Sequence, residues 1–189
     1  MKRIAIFGGT FNPIHTGHLV MAELSRERYH LDEVIFVPSC LPPHKTITNL
    51  ATPRDRFAMA KKAVRGNPFF RISDYEIKKR GKSYTIDTVT YFRDKYKGAQ
   101  LFFIIGADSY KQLSSWKDIN EILKDVTFIV VNRPGYRGQK GRIRHLSVTM
   151  PGLDISSSYI RGRLKQGKSI KYLVPDSIIR YIEEQKLYR

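Results

Sequence analysis

One cysteine, Cys40, occurs in 189 residues, so no disulfide can form within the chain and a reducing compartment is expected. Acidic residues are also scarce. Seventeen Asp+Glu stand against 34 Lys+Arg, a formal net charge of +17, and such a balance attracts anions over long range, whether nucleotides or nucleic acid. No apolar run approaches the ~20 residues that a membrane span needs. The opening Met-Lys-Arg leads straight into a core strand, without the apolar stretch of a signal peptide, so a cytoplasmic location away from the membrane is expected. A Walker A loop, a dinucleotide Gly-x-Gly-x-x-Gly and a Ser/His/Asp nucleophile set are all missing, and nothing suggests a covalent intermediate. There is no repeat, low-complexity segment or flexible linker. With 41% hydrophobic and 12% aromatic residues, the chain is expected to fold as one domain over 1–189.

What the chain does have begins at its first strand. Ile4-Ala5-Ile6-Phe7 is followed by Gly8-Gly9-Thr10-Phe11-Asn12-Pro13-Ile14-His15-Thr16-Gly17-His18 and then by a helical pattern. Glycines let backbone N–H groups approach an anion, and a helix start adds partial positive charge. Two imidazoles three residues apart can both face that anion. A lone Gly-Gly would be only a tight βα turn. Zinc ligation by the pair would need further ligands at a suitable spacing, and none is near. A triphosphate held for attack at phosphorus is the stronger reading.

Apolar runs at 3–7, 33–38, 101–105 and 126–131, with weaker ones at 70–73 and 146–150, alternate with helical patterns. Helices are expected from about 18, from 53, from 83–88 onward, at 109–113 and 120–124, and then at 156–166 and 175–184. Continuous apolar strands separated by helices predict an α/β fold: a Rossmann-like, doubly wound parallel sheet covered on both faces, with a small C-terminal helical part over 156–189. Ligands of such sheets sit beyond the carboxyl ends of the strands. Polar residues suited to that role follow three strands, at 8–18, 43–45 and 106–108.

Several further groups have both a chemical and a plain structural account. Asp108, after Gly106, can accept from ribose hydroxyls or cap the next helix. Ser156, Ser157 and Ser158 open a helix bearing Arg161, which makes an anion clamp or an ordinary cap. Lys45 follows two prolines and can face a phosphate or only water. Trp116 is the single tryptophan, suited to core packing or to stacking on a flat heterocycle. The basic stretch at 137–144 lacks interleaved aromatics and reads as a solvated loop.

Residues 8–18 together with Ile155-Ser156-Ser157-Ser158-Tyr159-Ile160-Arg161 resemble the two motifs of the HxGH nucleotidyltransferase superfamily. Within it the chain looks like the bacterial nicotinate-nucleotide adenylyltransferases, with support from Pro42-Pro43-His44-Lys45, the segments at 83–88 and 103–108, 113–116, Asn132-Arg133-Pro134-Gly135 and Leu187-Tyr188. The resemblance covers nearly the whole chain. It implies the reaction of ATP with nicotinate mononucleotide, giving deamido-NAD and pyrophosphate with Mg²⁺. It implies that His15, His18 and Arg161 act at the phosphates, with Gly8, Gly9, Thr10, Phe11, Gly106, Asp108, Arg133, Ile155, Ser156 and Ser157 around ATP. Lys45, Tyr84, Thr85 and Trp116 would hold the mononucleotide. Asn12 stands where many relatives carry aspartate, which weakens any role for that position toward magnesium. Two alternatives remain at this point: transfer to another phosphorylated acceptor such as phosphopantetheine, and a basic nucleic-acid-binding module, although nothing reads as a recognition helix or an aromatic RNA-binding sheet. No nucleic acid or membrane partner is expected, and a homo-oligomer is left open.

Overall fold

The computed structural model describes residues 1–42, 50–132 and 143–189. Its strands are β1 (Arg3–Gly9), β2 (Glu33–Pro38), β3 (Phe70–Ile72), β4 (Gln100–Gly106), β5 (Val126–Asn132) and β6 (Leu146–Thr149). They form one sheet in the order β3-β2-β1-β4-β5-β6, and every pairing is parallel. The chain runs outward from β1 to β3 and then crosses back to β4. The switch point therefore lies between β1 and β4, where ligands of doubly wound sheets are held.

Strand registers open a crevice at that point. β1 and β4 pair from Arg3↔Gln100 to Ile6↔Phe103 and no further, although β1 runs on to Gly9 and β4 to Gly106. β1 meanwhile stays paired with β2 as far as Gly9↔Pro38. The ends of β1 and β4 thus carry glycines beside a gap.

The helices are α1 (Thr16–Arg28), α2 (Pro53–Val64), α3 (Tyr75–Lys79), α4 (Thr85–Lys95), α5 (Ala107–Tyr110), α6 (Ile119–Asp125), α7 (Ser157–Lys165) and α8 (Asp176–Glu184), with a 3-10 turn at Leu113–Ser115. Side chains alternate across the strands, so β1 serves two cores. Ala5 and Phe7 join Ala22 of α1, Met59 of α2 and Ile178 and Ile182 of α8. Ile4 and Ile6 join Val89 and Phe92 of α4 and Ile122 of α6. Each fully buried Ile, Val, Phe or Met among them contributes about 1.5–3 kcal/mol relative to exposure. The doubly covered parallel sheet expected from the apolar runs is the observed fold.

Differences are local. α3 is a helix that periodicity did not predict, because one charged turn is too short to show a period. The helix expected at 109–113 starts earlier, at Ala107, and gives way to the 3-10 turn. α1 begins at Thr16, with His15 as its N-cap. α2 begins as its sequence suggests: the Thr52 hydroxyl accepts from Asp55 N–H and Pro53 occupies the first turn, where a missing N–H costs nothing.

Candidate active site

A cavity of about 450 Å³ fills the crevice between the ends of β1 and β4. The β1–α1 loop forms its floor, and its shape follows from crowding. A Cβ on Gly9 would lie 2.9 Å from the Phe11 ring, and Phe11 itself takes a left-handed φ of 49°. Beneath the loop lies Arg56, wholly buried. Its guanidinium donates to the carbonyls of Thr10 at 2.8 Å, Ser39 at 2.6 Å, Cys40 at 2.8 Å and Ala51 at 3.0 Å. Burial pushes its pKa below the usual arginine value. One side chain thereby ties the loop after β1 to the loop after β2.

Both histidines line the cavity. Their rings stack at 3.6 Å between centroids, 26° from parallel. His15 backbone N–H donates to His18 Nδ1 at 3.2 Å. In a neutral ring the proton then sits on Nε2, which makes that nitrogen a donor. Phe11 meets the His18 ring edge-on at 5.1 Å, and Phe7 does so at 6.1 Å. A Cβ on Gly17 would lie 3.1 Å from His15 Nδ1 and would crowd this stack.

A second part of the lining comes from 144 residues further along the chain. Ser156 caps α7 by accepting from Tyr159 N–H at 3.1 Å. Ser157 Oγ donates to Pro13 carbonyl at 2.9 Å, and Arg161 Nη1 donates to Asn12 carbonyl at 2.8 Å. The N-terminus of α7 is therefore pinned directly onto the histidine loop, and Ile155, Ser156, Ser157 and Ser158 line the cavity with it. Arg161 does not line the cavity; its second nitrogen reaches Ser158 at 3.3 Å. The Asn12 side chain is buried too, its Oδ1 accepting from Tyr188 O–H at 2.7 Å and Ala51 N–H at 3.1 Å.

Gly8, Gly9, Thr10, Phe11, Gly106, Asp108, Thr85 and Trp116 also line the cavity. Asp108 is exposed and is not the cap of α5, a place taken by Gly106. Trp116 is half-buried, packing edge-on against Phe103 and Phe128 at 6.1 Å each, and it also lines the cavity. Tyr84 is not in the lining, and Lys117 Nζ sits 4.8 Å over its ring. Lys45, Arg133 and most of the basic stretch at 137–144 lie outside the described residues. Sequence reasoning missed Glu76 of α3, Met21 of α1, and Phe103, whose ring tip would lie 3.1 Å from a Cβ on Gly8. Apolar β4 residues were expected in the core, and alternation does not say which of them faces a gap.

The chain is similar to known proteins over its whole length. The cytidylyltransferase-like family matches residues 6–163. The probable nicotinate-nucleotide adenylyltransferase of Desulfitobacterium hafniense strain Y51 is 42% identical, over 100% of this chain and 96% of its own. That of Bacillus pumilus is 43% identical, over 100% of this chain and 99% of its own. Among solved structures, the Plasmodium falciparum nicotinic acid mononucleotide adenylyltransferase complexed with NaAD superposes with a TM-score of 0.81 at 20% identity, covering 100% of this chain and 98% of that one. At that identity it speaks for the fold alone. Full-length identity above two-fifths to these enzymes places the chain in the nicotinate-nucleotide adenylyltransferase family of cytidylyltransferase-like proteins.

Proposed function

We propose that this protein transfers the AMP moiety of ATP to nicotinate mononucleotide, forming deamido-NAD and releasing pyrophosphate, a step of NAD biosynthesis. One observation carries the reading beyond family membership. The glycine loop with His15 and His18 and the serine-led start of α7 face one cavity at the β1/β4 switch point, joined by the bonds from Ser157 and Arg161.

The chemistry asks for alignment more than for acid or base. A phosphate oxygen of the mononucleotide attacks the α-phosphorus of ATP, the α–β bridging P–O bond breaks, and pyrophosphate leaves with the electron pair. The nucleophile is already ionised. The protein must bring two anions together and stabilise charge on the departing group, a task of positioning and electrostatics. In this reading, Nε2–H of His18 donates to phosphate oxygens, with His15 stacked beside it. Backbone N–H groups at Gly8, Gly9, Thr10 and Phe11 and at the start of α7 take the β- and γ-phosphates. Arg161 acts from the Asn12 carbonyl, adding positive charge behind the loop. Gly106 and Asp108 meet the adenosine ribose, and Thr85 and Trp116 frame the pyridine ring. Lys45 facing phosphate, Arg133 on the adenine side and Tyr84 near the ring remain part of the proposal.

Among the described residues, no three His, Cys, Asp or Glu side chains gather as a metal site, and Asn12 is committed to Tyr188 and Ala51. In this reading magnesium enters with ATP, as part of the substrate. Both substrates are phosphorylated, charged metabolites of the cell interior, which supports a cytoplasmic enzyme. The α4 start and Trp116 favour a flat ring over the flexible arm of phosphopantetheine. The test incubates the protein with MgATP and each acceptor in turn and follows pyrophosphate. Release with nicotinate mononucleotide and none with phosphopantetheine is expected, and the reverse order would overturn the assignment.

A further inference from the structure

Apart from the two histidines, the only ionisable side chains among the described residues lining the cavity are Asp108 and Glu76. In a chain of net charge +17, two carboxylates and no described lysine or arginine is an unexpected lining for anionic substrates. Asp108 has a reading at the ribose. Glu76 has none.

Glu76 is 8% exposed. Thr88 Oγ1 donates to its Oε1 at 2.6 Å, and Ser83 bonds to it as well. Ser83 Oγ in turn accepts from Cys40 N–H at 2.9 Å. Burial pushes the Glu76 carboxyl up, while the two hydroxyl bonds oppose that shift. Lys79, the lysine whose charge acts on Glu76, is bonded instead to Asp87 at 2.6 Å. Its place in the cavity is fixed by its neighbours. Ser83 and Thr85 flank the start of α4, and the Trp116 segment abuts the same start through Lys117 over Tyr84. Glu76 therefore belongs to the end of the cavity read above as the pyridine subsite.

The ring nitrogen of nicotinate mononucleotide, bonded to ribose, carries a formal positive charge. A tryptophan and a buried, hydrogen-bonded carboxylate are groups that recognise a cationic heterocycle. We propose that Glu76 is a specificity-determining residue whose carboxylate favours an oxidised pyridinium mononucleotide over one with a neutral, reduced ring. The inference rests on the adenylyl-transfer reading. It adds to that reading a preference that phosphate binding cannot supply, because both ring forms carry the same phosphate.

The experiment compares wild type with Glu76→Gln, measuring pyrophosphate release with nicotinate mononucleotide and with its 1,4-dihydro form at saturating MgATP. The amide keeps the size of the side chain and removes its charge. We expect KM for the pyridinium form to rise roughly tenfold, as for a lost charge pair partly screened by solvent, with KM for the dihydro form, KM for ATP and kcat unchanged. An equal rise for both ring forms would reduce Glu76 to a structural support, and no change for either would remove it from recognition; each overturns the proposal. Thr88→Val, which removes a hydroxyl bond and keeps the charge, should retain the ring preference. If the glutamine variant does not fold, Glu76→Asp replaces it, and loss of the preference in that charged variant counts against the idea. Wild type inactive with both ring forms would instead signal failure of the transfer reading itself, and of this inference with it.

Discussion

His18 is oriented by a bond that it accepts, from His15 N–H to its Nδ1, and by two phenylalanine edges. The ring is thus held before any substrate arrives, and little reorganisation is needed at the moment of reaction. His18→Ala is expected to lower kcat by about a hundredfold, the scale of losing a positioned donor, with an unchanged melting temperature; near-normal turnover at saturating ATP would refute the role. Gly17→Ala probes the same stack from behind, since its Cβ would press on His15 at 3.1 Å. Turnover should fall with little loss of fold. Arg56 differs in kind. It touches no substrate, but its removal strands four carbonyls. Arg56→Met should destabilise the protein by roughly 3 kcal/mol or more, read by denaturant unfolding. None of Arg56's partners was legible in the sequence, because a buried arginine serving carbonyls leaves no periodic mark. The histidine pair was legible, because a strand, glycines and a helix start adjoin in sequence.

At the scale of elements, strands with continuous apolar runs were legible, and so were helices long enough to repeat a face. α3 was not, and Glu76 was lost with it. The approach of α7 to the histidine loop had a local sign in the Ser-Ser-Ser cap, yet its contacts with Pro13 and Asn12 span over 140 residues and only the fold reveals them. α8 makes the same point. Tyr181 donates to Asp55 of α2 at 2.9 Å, and beyond the helix Tyr188 donates to Asn12 at 2.7 Å. The two hydroxyls should separate experimentally. Tyr181→Phe is expected to cost stability alone, about 1.5 kcal/mol for a bond to a carboxylate. Tyr188→Phe should also lower turnover, because Asn12 carries both the histidine loop and the Arg161 contact. Burial, with the bond to Asp55, raises the Tyr181 pKa to about 12. A raised folded-state value means that the contribution is complete below the ordinary 10 and fades as pH rises toward 12. Melting temperatures of wild type and Tyr181→Phe should therefore converge across that interval, and a constant gap would show that the hydroxyl bond is not their difference.

Charge belongs to the whole molecule rather than to any element. The local pairs absorb part of it: Lys78 with Asp74 at 2.9 Å, Lys79 with Asp87, Lys171 with Asp176 at 2.8 Å. These exposed or half-exposed pairs contribute little to stability, and a net +17 remains. No described lysine or arginine lies in the cavity lining, and the charges beyond it add a long-range field at the mouth. Such a field raises the encounter rate of anions and is screened within a Debye length of about 8 Å at physiological salt. ATP and nicotinate mononucleotide are both anions, and kcat/KM for each should fall as potassium chloride is raised. Magnesium offsets part of the ATP charge, so the two substrates should show similar slopes. kcat at saturation should stay level, because bound substrates no longer depend on steering. A salt response confined to kcat would place the electrostatic work inside the cavity and leave the surface charge without a part in capture.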